Sequence, residues 1–303
     1  MNQGEVLNRK YQRLKEILKG YGSCAVAFSS GVDSTFLLQA AREALGENVA
    51  AVTTTAPWFP VRESDETKAF CESRGIRHIL VSMDDSGIPQ FKENPPDRCY
   101  HCKKALFQNM RSIAEELGCA VVAEGSNTDD DGDYRPGHLA IRELGIRSPL
   151  READLSKDDI RTLSKQMGLQ TWSKPSFACL ASRFPYGEII TKEKLGMVEQ
   201  AEDYLLSLGY TQMRVRIHET VSGDLMGRIE LPEEDIASAL DPLRRMQIRQ
   251  KLKDLGFNYI ALDLAAYRTG RLNQTLDAAV LQKGRTREPG EDDNAEPAGR
   301  QGA

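Results

Sequence analysis

Ala25-Val26-Ala27-Phe28-Ser29-Ser30-Gly31-Val32-Asp33-Ser34-Thr35-Phe36-Leu37-Leu38 runs a short apolar strand into a loop of small residues and then directly into an apolar helix. That order makes an anion site. Small side chains let backbone N–H groups approach a phosphate, while the hydroxyls and the helix dipole add donors and positive potential. A capped strand-to-helix turn, with Ser34 or Asp33 as the cap, accounts for the same residues without any ligand. The loop is not a Walker A loop, because no Gly-Lys-Ser/Thr follows it.

Outward from this loop, short apolar segments alternate with amphipathic ones. Strands are expected at 24–28, 49–54, 77–81 and 120–124, with helices at 34–45, 61–74, 102–117 and 157–167, the last capped by Ser156. Strands alternating with helices predict an α/β fold, a parallel sheet covered by helices. After Pro185-Tyr186-Gly187 the pattern changes. A helix at 192–208 leads into a strand at 212–218 and a neighbour at 227–231; helices at 233–240 and 242–255 and a last strand at 259–264 follow. Three divisions are expected: a nucleotide domain over 1–187, a smaller α+β domain for substrate or oligomerisation over 188–283, and a disordered tail over 284–303. The tail has no large apolar side chain and is rich in Gly, Pro and charge.

A chain of 303 residues is long enough for two cores. Lys+Arg 40 against Asp+Glu 45 gives −5, so no broad basic field is available to grip a nucleic-acid backbone. No apolar run approaches the roughly 20 residues of a membrane span. Residues 1–22 show helical periodicity without the apolar stretch of a signal peptide, and a cytoplasmic location is expected.

Six cysteines in a chain this long do not suggest a disulfide scaffold. Cys24 and Cys119 lie in apolar runs and read as buried strand residues, and Cys71 as a packing residue. Cys99 and Cys102 form a CxxC at a helix start, where the dipole lowers thiol pKa. With Cys179 they make a three-thiolate set of the kind that leaves a metal centre one open position. A redox dithiol, a zinc site completed by His101 and unconnected thiols remain alternatives. Arg214 and Arg216 alternate on one strand and so project from one face; they suit a phosphate, or equally a solvated strand face.

Ser29-Ser30-Gly31-Val32-Asp33-Ser34 resembles the PP-loop signature SGGxDS of ATP pyrophosphatases, with Ser30 in place of the usual second Gly. Gly125-Ser126-Asn127-Thr128-Asp129, Asp133-Tyr134-Arg135-Pro136-Gly137, Ser182-Arg183-Phe184-Pro185-Tyr186-Gly187, Arg214-Val215-Arg216-Ile217-His218 and Arg228-Ile229-Glu230-Leu231-Pro232 follow in this order. Together these motifs resemble the LarE family over about residues 10–280. The resemblance implies ATP contacts at Ser29, Ser30, Gly31, Asp33, Ser34, Thr54 and Gly125, with Mg²⁺, and a homo-oligomer. It implies adenylation of the carboxylates of pyridinium-3,5-biscarboxylic acid mononucleotide and their conversion to thiocarboxylates for the nickel-pincer cofactor of lactate racemase. Cys179 and Arg183 would stand at the reaction centre, and Arg214 and Arg216 on the substrate phosphate. Members with a single cysteine sacrifice its sulfur; those with the added CxxC are thought to hold a [4Fe-4S] cluster supplied by sulfide or another sulfur donor, here on Cys99, Cys102 and Cys179. Glu202 and Glu230 would orient the arginines or bind a cation, and the Asp129, Asp130, Asp131, Asp133 loop is mainly surface with one carboxylate near Mg²⁺. His101 and His218 are candidate neighbours of the site, while His78 reads as structural. The rival readings are a tRNA thiolase with a [4Fe-4S] cluster, an amide-forming PP-loop ligase, and a nucleotide sensor that would leave the three cysteines unexplained.

Overall fold

The inner strands of the first half are short and mainly apolar, which suits burial between two helical layers, while the edge strand RHILVS is partly exposed. The computed structural model describes residues 3–130, 136–175 and 177–268, together with Gly270, Arg271, Asn273 and Leu276. The motif residues Asp131, Asp133, Tyr134 and Arg135, and the tail at 284–303, lie outside the described residues.

Helix α1 (Gln3–Tyr21) leads into β1 (Cys24–Ala27), α2 (Val32–Leu45), β2 (Val49–Thr55), α3 (Val61–Arg74) and β3 (Arg77–Ser82). Then come α4 (Arg98–Glu116), β4 (Val121–Ala123), α5 (Gly137–Glu143), α6 (Pro149–Glu152) and α7 (Lys157–Gln166). The four strands are parallel in the order β3-β2-β1-β4, with Cys24 opposite Val49 on one side and Val121 on the other. β1 splits its side chains between two cores. Cys24 and Val26 join Leu14, Leu18, Phe36, Leu37, Leu150 and Ile160. Ala25 joins Val52, Phe107, Met110, Val122 and Ile141 on the opposite face. The chain steps outward from β1 to β3 and then returns through α4 to the far side of β1. The carboxyl ends of β1 and β4 therefore flank the point where strand order reverses, which is where open α/β sheets bind ligands.

The second half builds its own sheet. Helix α8 (Lys192–Ser207) precedes β5 (Arg214–Glu219) and β6 (Leu225–Glu230); α9 (Glu233–Ala239), α10 (Pro242–Asp254) and β7 (Tyr259–Leu262) follow. β5 and β6 are antiparallel, and β7 joins β6 in parallel. Val215, Ile217 and Ile229 pack on Leu195, Val198, Leu205, Ile248 and Leu252, and the same core takes in Trp58, Phe91, Leu180 and Phe184 from the first half.

Ser156 caps α7 with a full capping box: its hydroxyl accepts from Asp159 N at 3.1 Å, and Asp159 accepts from Ser156 N at 3.1 Å. Cys119 departs from the expected buried strand position. It lies before β4, half-buried, with its N–H donating to Ala114 O at 2.8 Å in the turn that ends α4. Gly118, at φ 70°, makes that left-handed turn and takes the residue out of the sheet.

Candidate functional site

The loop after β1 ends on Gly31, which opens α2. Ser34 closes the loop on itself: its Oγ accepts from Ser29 N at 3.3 Å and stands 3.2 Å from Ser29 Oγ. Gly125, at the end of β4, presses on the same turn. A Cβ at Gly125 would stand 3.1 Å from Ser34 N and 3.2 Å from Asp33 Cβ, so the two strand-end loops meet at a position that glycine keeps open. Ser30 adopts φ 54°, the left-handed region where a glycine would be at ease. It is held there from outside. Its Oγ donates to Glu66 Oε2 at 2.7 Å, and Lys174 Nζ donates to Ser30 O at 3.2 Å and to Ser30 Oγ at 3.1 Å. Lys174 also pairs with Glu66.

Asp33 is paired with Lys157 Nζ at 2.5 Å. Burial pushes the Asp33 pKa up, and Lys157 opposes that rise. Asp33 Oδ1 is buried without a hydrogen-bond partner among the described residues. On β2, the end of the strand reaches the loop through Thr53, whose Oγ1 donates to Phe28 O at 2.8 Å; Thr54 is the next residue along, half-buried.

Cys99 and Cys102 lie in the first turns of α4, and Cys179 precedes the 3-10 turn Leu180–Arg183. Arg98 joins the two. Its guanidinium donates to Ala181 O at 3.0 Å and to the Asn94 side chain, and reaches Cys99 Sγ at 3.8 Å. Asn94 in turn donates to Phe184 O at 3.2 Å and to Pro185 O at 2.6 Å. The three thiols come within one another's electrostatic reach. Burial pushes the Cys102 thiol up to about 12, helped by Cys179 and Cys99. Burial also pushes Cys179 up, against the pull of Arg98. Among the described residues, no group of three or more His, Cys, Asp or Glu side chains is gathered as a metal-ion site. His101 lies 3.4 Å from Asp97.

β5 faces this segment with its arginines. Arg216 donates to Ser182 O at 2.5 Å and to Glu230 Oε2 at 2.9 Å. Arg214 stacks over the rings of Tyr267 at 4.9 Å and Phe177 at 5.6 Å, and burial with the neighbouring Arg183 works against its charge. Arg183 is fully buried in a two-pronged pair with Glu202, at 2.8 and 2.7 Å, and also donates to Ala178 O at 2.7 Å and Cys179 O at 3.1 Å. Glu202 accepts from Val215 N at 2.9 Å as well, so one carboxylate fixes both the cysteine segment and β5. Arg228 bridges Glu230 at 2.9 Å and Asp263, and donates to His218 Nε2 at 3.1 Å.

Asn94, Lys157, Lys174, Glu63 and Glu66 belong to none of the sequence motifs. Lys174 carried a signal, a lysine in front of Pro175 and five residues before Cys179; a salt-bridge partner on α3 carries none. Glu63 has its pKa raised to about 7 by burial, with Lys174, Arg62 and Arg183 opposing the rise.

A parallel sheet with this loop at its switch point defines a PP-loop α/β protein. One subunit of the glutamine-hydrolyzing GMP synthase of Thermoplasma volcanium is 26% identical over 219 residues, 67% of this chain and 69% of its own. No family model matches the chain. The uncharacterized protein slr1717 of Synechocystis sp. is 40% identical over 271 residues, 89% of this chain and 99% of its own. The pyridinium-3,5-bisthiocarboxylic acid mononucleotide synthase of Lactiplantibacillus plantarum is 38% identical over 276 residues, covering 91% of this chain and 98% of that enzyme. The chain belongs to the LarE family of pyridinium-3,5-bisthiocarboxylic acid mononucleotide synthases, and it is an enzyme. Among the described residues, no helix is long and apolar enough to cross a membrane.

Proposed function

We propose that the protein is an ATP-dependent sulfur transferase that converts the carboxylates of pyridinium-3,5-biscarboxylic acid mononucleotide to thiocarboxylates. The observation that carries this reading is the contact of Lys174, five residues before Cys179 in sequence, with Ser30 of the loop after β1. A carboxylate oxygen of the substrate attacks the α-phosphorus of ATP, and pyrophosphate leaves with its bridging oxygen. A sulfur nucleophile then attacks the acyl carbon, and AMP departs with the oxygen that the carboxylate had supplied.

Ser29, Ser30, Gly31, Asp33, Ser34 and Gly125 are assigned to the triphosphate side, with Thr54 beside the base. The buried, unpartnered Asp33 Oδ1 suits an Mg²⁺ carried by the nucleotide, since a hard cation takes carboxylate oxygen. Arg214, over the Tyr267 and Phe177 rings, and Arg216, two residues on along β5, are assigned to the substrate phosphate. Arg183 acts at the centre by holding the Cys179 carbonyl.

The electrostatic reach of Cys99 and Cys179 on Cys102, beside the Arg98 cation, supports an iron–sulfur group as the sulfur carrier. Cys99, Cys102 and Cys179 would hold it, and it would supply an iron lacking a protein ligand to present sulfide.

Anaerobic turnover with ATP, Mg²⁺, sulfide and the biscarboxylate mononucleotide tests the reading. Thiocarboxylate product with AMP and pyrophosphate is expected; ADP in place of AMP would overturn it. Cys→Ser at each of positions 99, 102 and 179 should lower iron content and abolish transfer alike, because serine offers iron a hard oxygen. Loss at Cys179 alone, with dehydroalanine there after turnover, would instead mark Cys179 as the sulfur source.

A further inference from the structure

One lysine ties the phosphate loop to the segment that carries Cys179. Lys174 Nζ stands 3.2 Å from Ser30 O and 3.1 Å from Ser30 Oγ, with Glu66 as its countercharge. Its side chain is 18% exposed and that of Glu66 is 46% exposed, so the pair lies at the mouth of the loop, the lysine inward of the carboxylate. Lys174 is five residues before Cys179, and Leu180 N, just beyond that cysteine, donates to Trp58 O at 2.8 Å.

The rest of the strap is gripped by α7. Arg161 donates to Trp172 O at 2.5 Å and to Lys174 O at 3.0 Å. Four residues earlier on the same helix, Lys157 makes the pair with Asp33. One helix thus holds both the phosphate loop and the backbone of the strap, while the Lys174 ammonium lies directly on the loop.

Ser30 is strained at φ 54°, and the groups that hold it are one carboxylate and one ammonium. A triphosphate seated against this loop brings several negative oxygens to the neighbourhood of Lys174. Glu66 is a single, partly solvated carboxylate and competes poorly with them for the lysine.

We propose that Lys174 is a phosphate-binding residue of the ATP site: it takes the β- and γ-phosphates in exchange for Glu66. The inference rests on the reading of the loop as the ATP site. AMP offers Lys174 neither of the phosphates it takes.

The test compares full-length wild type with Lys174→Gln, Lys174→Arg and Glu66→Gln. Binding of α,β-methylene ATP, pyrophosphate and AMP is measured by calorimetry. Lys174→Gln should weaken the methylene analogue and pyrophosphate by roughly tenfold to a hundredfold, the range for losing one charge-assisted contact, and AMP by less than about threefold. Lys174→Arg should recover most of the loss, and Glu66→Gln should bind the analogue at least as well as wild type. Equal losses for the analogue and AMP would reduce Lys174 to a brace of the loop, and no loss for either would remove it from the site; each overturns the proposal.

If wild type binds no ATP analogue, the ATP-site reading falls and takes this inference with it; wild-type binding with an unaffected variant sinks the inference alone.

Discussion

The two ends of the site are built differently. The phosphate loop is one contiguous hexapeptide, closed by its own Ser29 and Ser34 and braced from outside by Lys157, Lys174 and Glu66. The cysteine end draws on residues 94–102, 177–187, Glu202 and strands β5 and β6, and its charges are buried and engaged by protein. A short loop with partly exposed lysines can exchange its partners for a ligand. A fully buried Arg183–Glu202 pair cannot, because each charge would be left without compensation. The first end can give up its present partners to a ligand, whereas the Arg183–Glu202 pair fixes the segment at 178–183 against β5.

The largest effect should come from breaking that second end. Glu202→Ala leaves Arg183 buried and removes the acceptor for Val215 N, and should cost about 3–5 kcal/mol of stability, read by denaturant unfolding. A loss near that of an exposed pair would show that water enters beside Arg183 and would erase the contrast between the two ends. The pair also sets an acid limit. Arg183 and its hydrogen bonds hold the Glu202 pKa below its ordinary value despite burial. Its contribution is therefore present above the unfolded carboxylate pKa, near 4.3, and is lost as pH falls through the lowered folded value.

Gly125→Ala should act next, and locally. The added methyl meets Ser34 N and Asp33 Cβ at 3.1–3.2 Å, backbone and loop that give little. About 1–3 kcal/mol of overpacking is expected, expressed as weaker ATP binding with binding of the mononucleotide nearly unchanged. If both ligands weaken equally, the two ends are one rigid unit.

The smallest effect concerns Glu63 on α3. Its folded pKa, about 7, is above the usual 4.5, so the native state favours its protonated form. The stability from that form is full below pH 4.5 and lost as pH rises through 7. Glu63→Gln should leave stability unchanged near pH 4.5 and raise it at pH 8, by about 1–2 kcal/mol after allowance for the solvent its side chain still meets. Denaturant unfolding at the two pH values checks this, and an identical shift at both would assign the effect to packing.

The strand–loop–helix at Ala25–Ser34 was legible because every part of it is local: an apolar strand, small residues, then an apolar helix. Alternation likewise revealed the parallel sheet, and the CxxC at the start of α4. Arg98 was visible only as the neighbour of Cys99, since nothing in Arg98-Cys99 says that the guanidinium donates to Ala181 O, 83 residues away. Cys119 misled because an apolar run reads the same on either side of a helix-ending turn.

The sequence by itself determined the strand–loop–helix at Ala25–Ser34, the α/β class, and three cysteines in two separate segments. Local residue order settles these, since strands, turns and helix starts depend on neighbours a few residues apart. The tertiary structure decided what those segments face. Strand order brings Gly125 onto Asp33, α7 ties Lys157 and Arg161 to the loop and the strap, and Glu202 locks Arg183 against β5. Each is a contact between residues 13 to 124 apart in sequence, and such contacts are specified by the burial and pairing of whole elements, which no single stretch of sequence encodes.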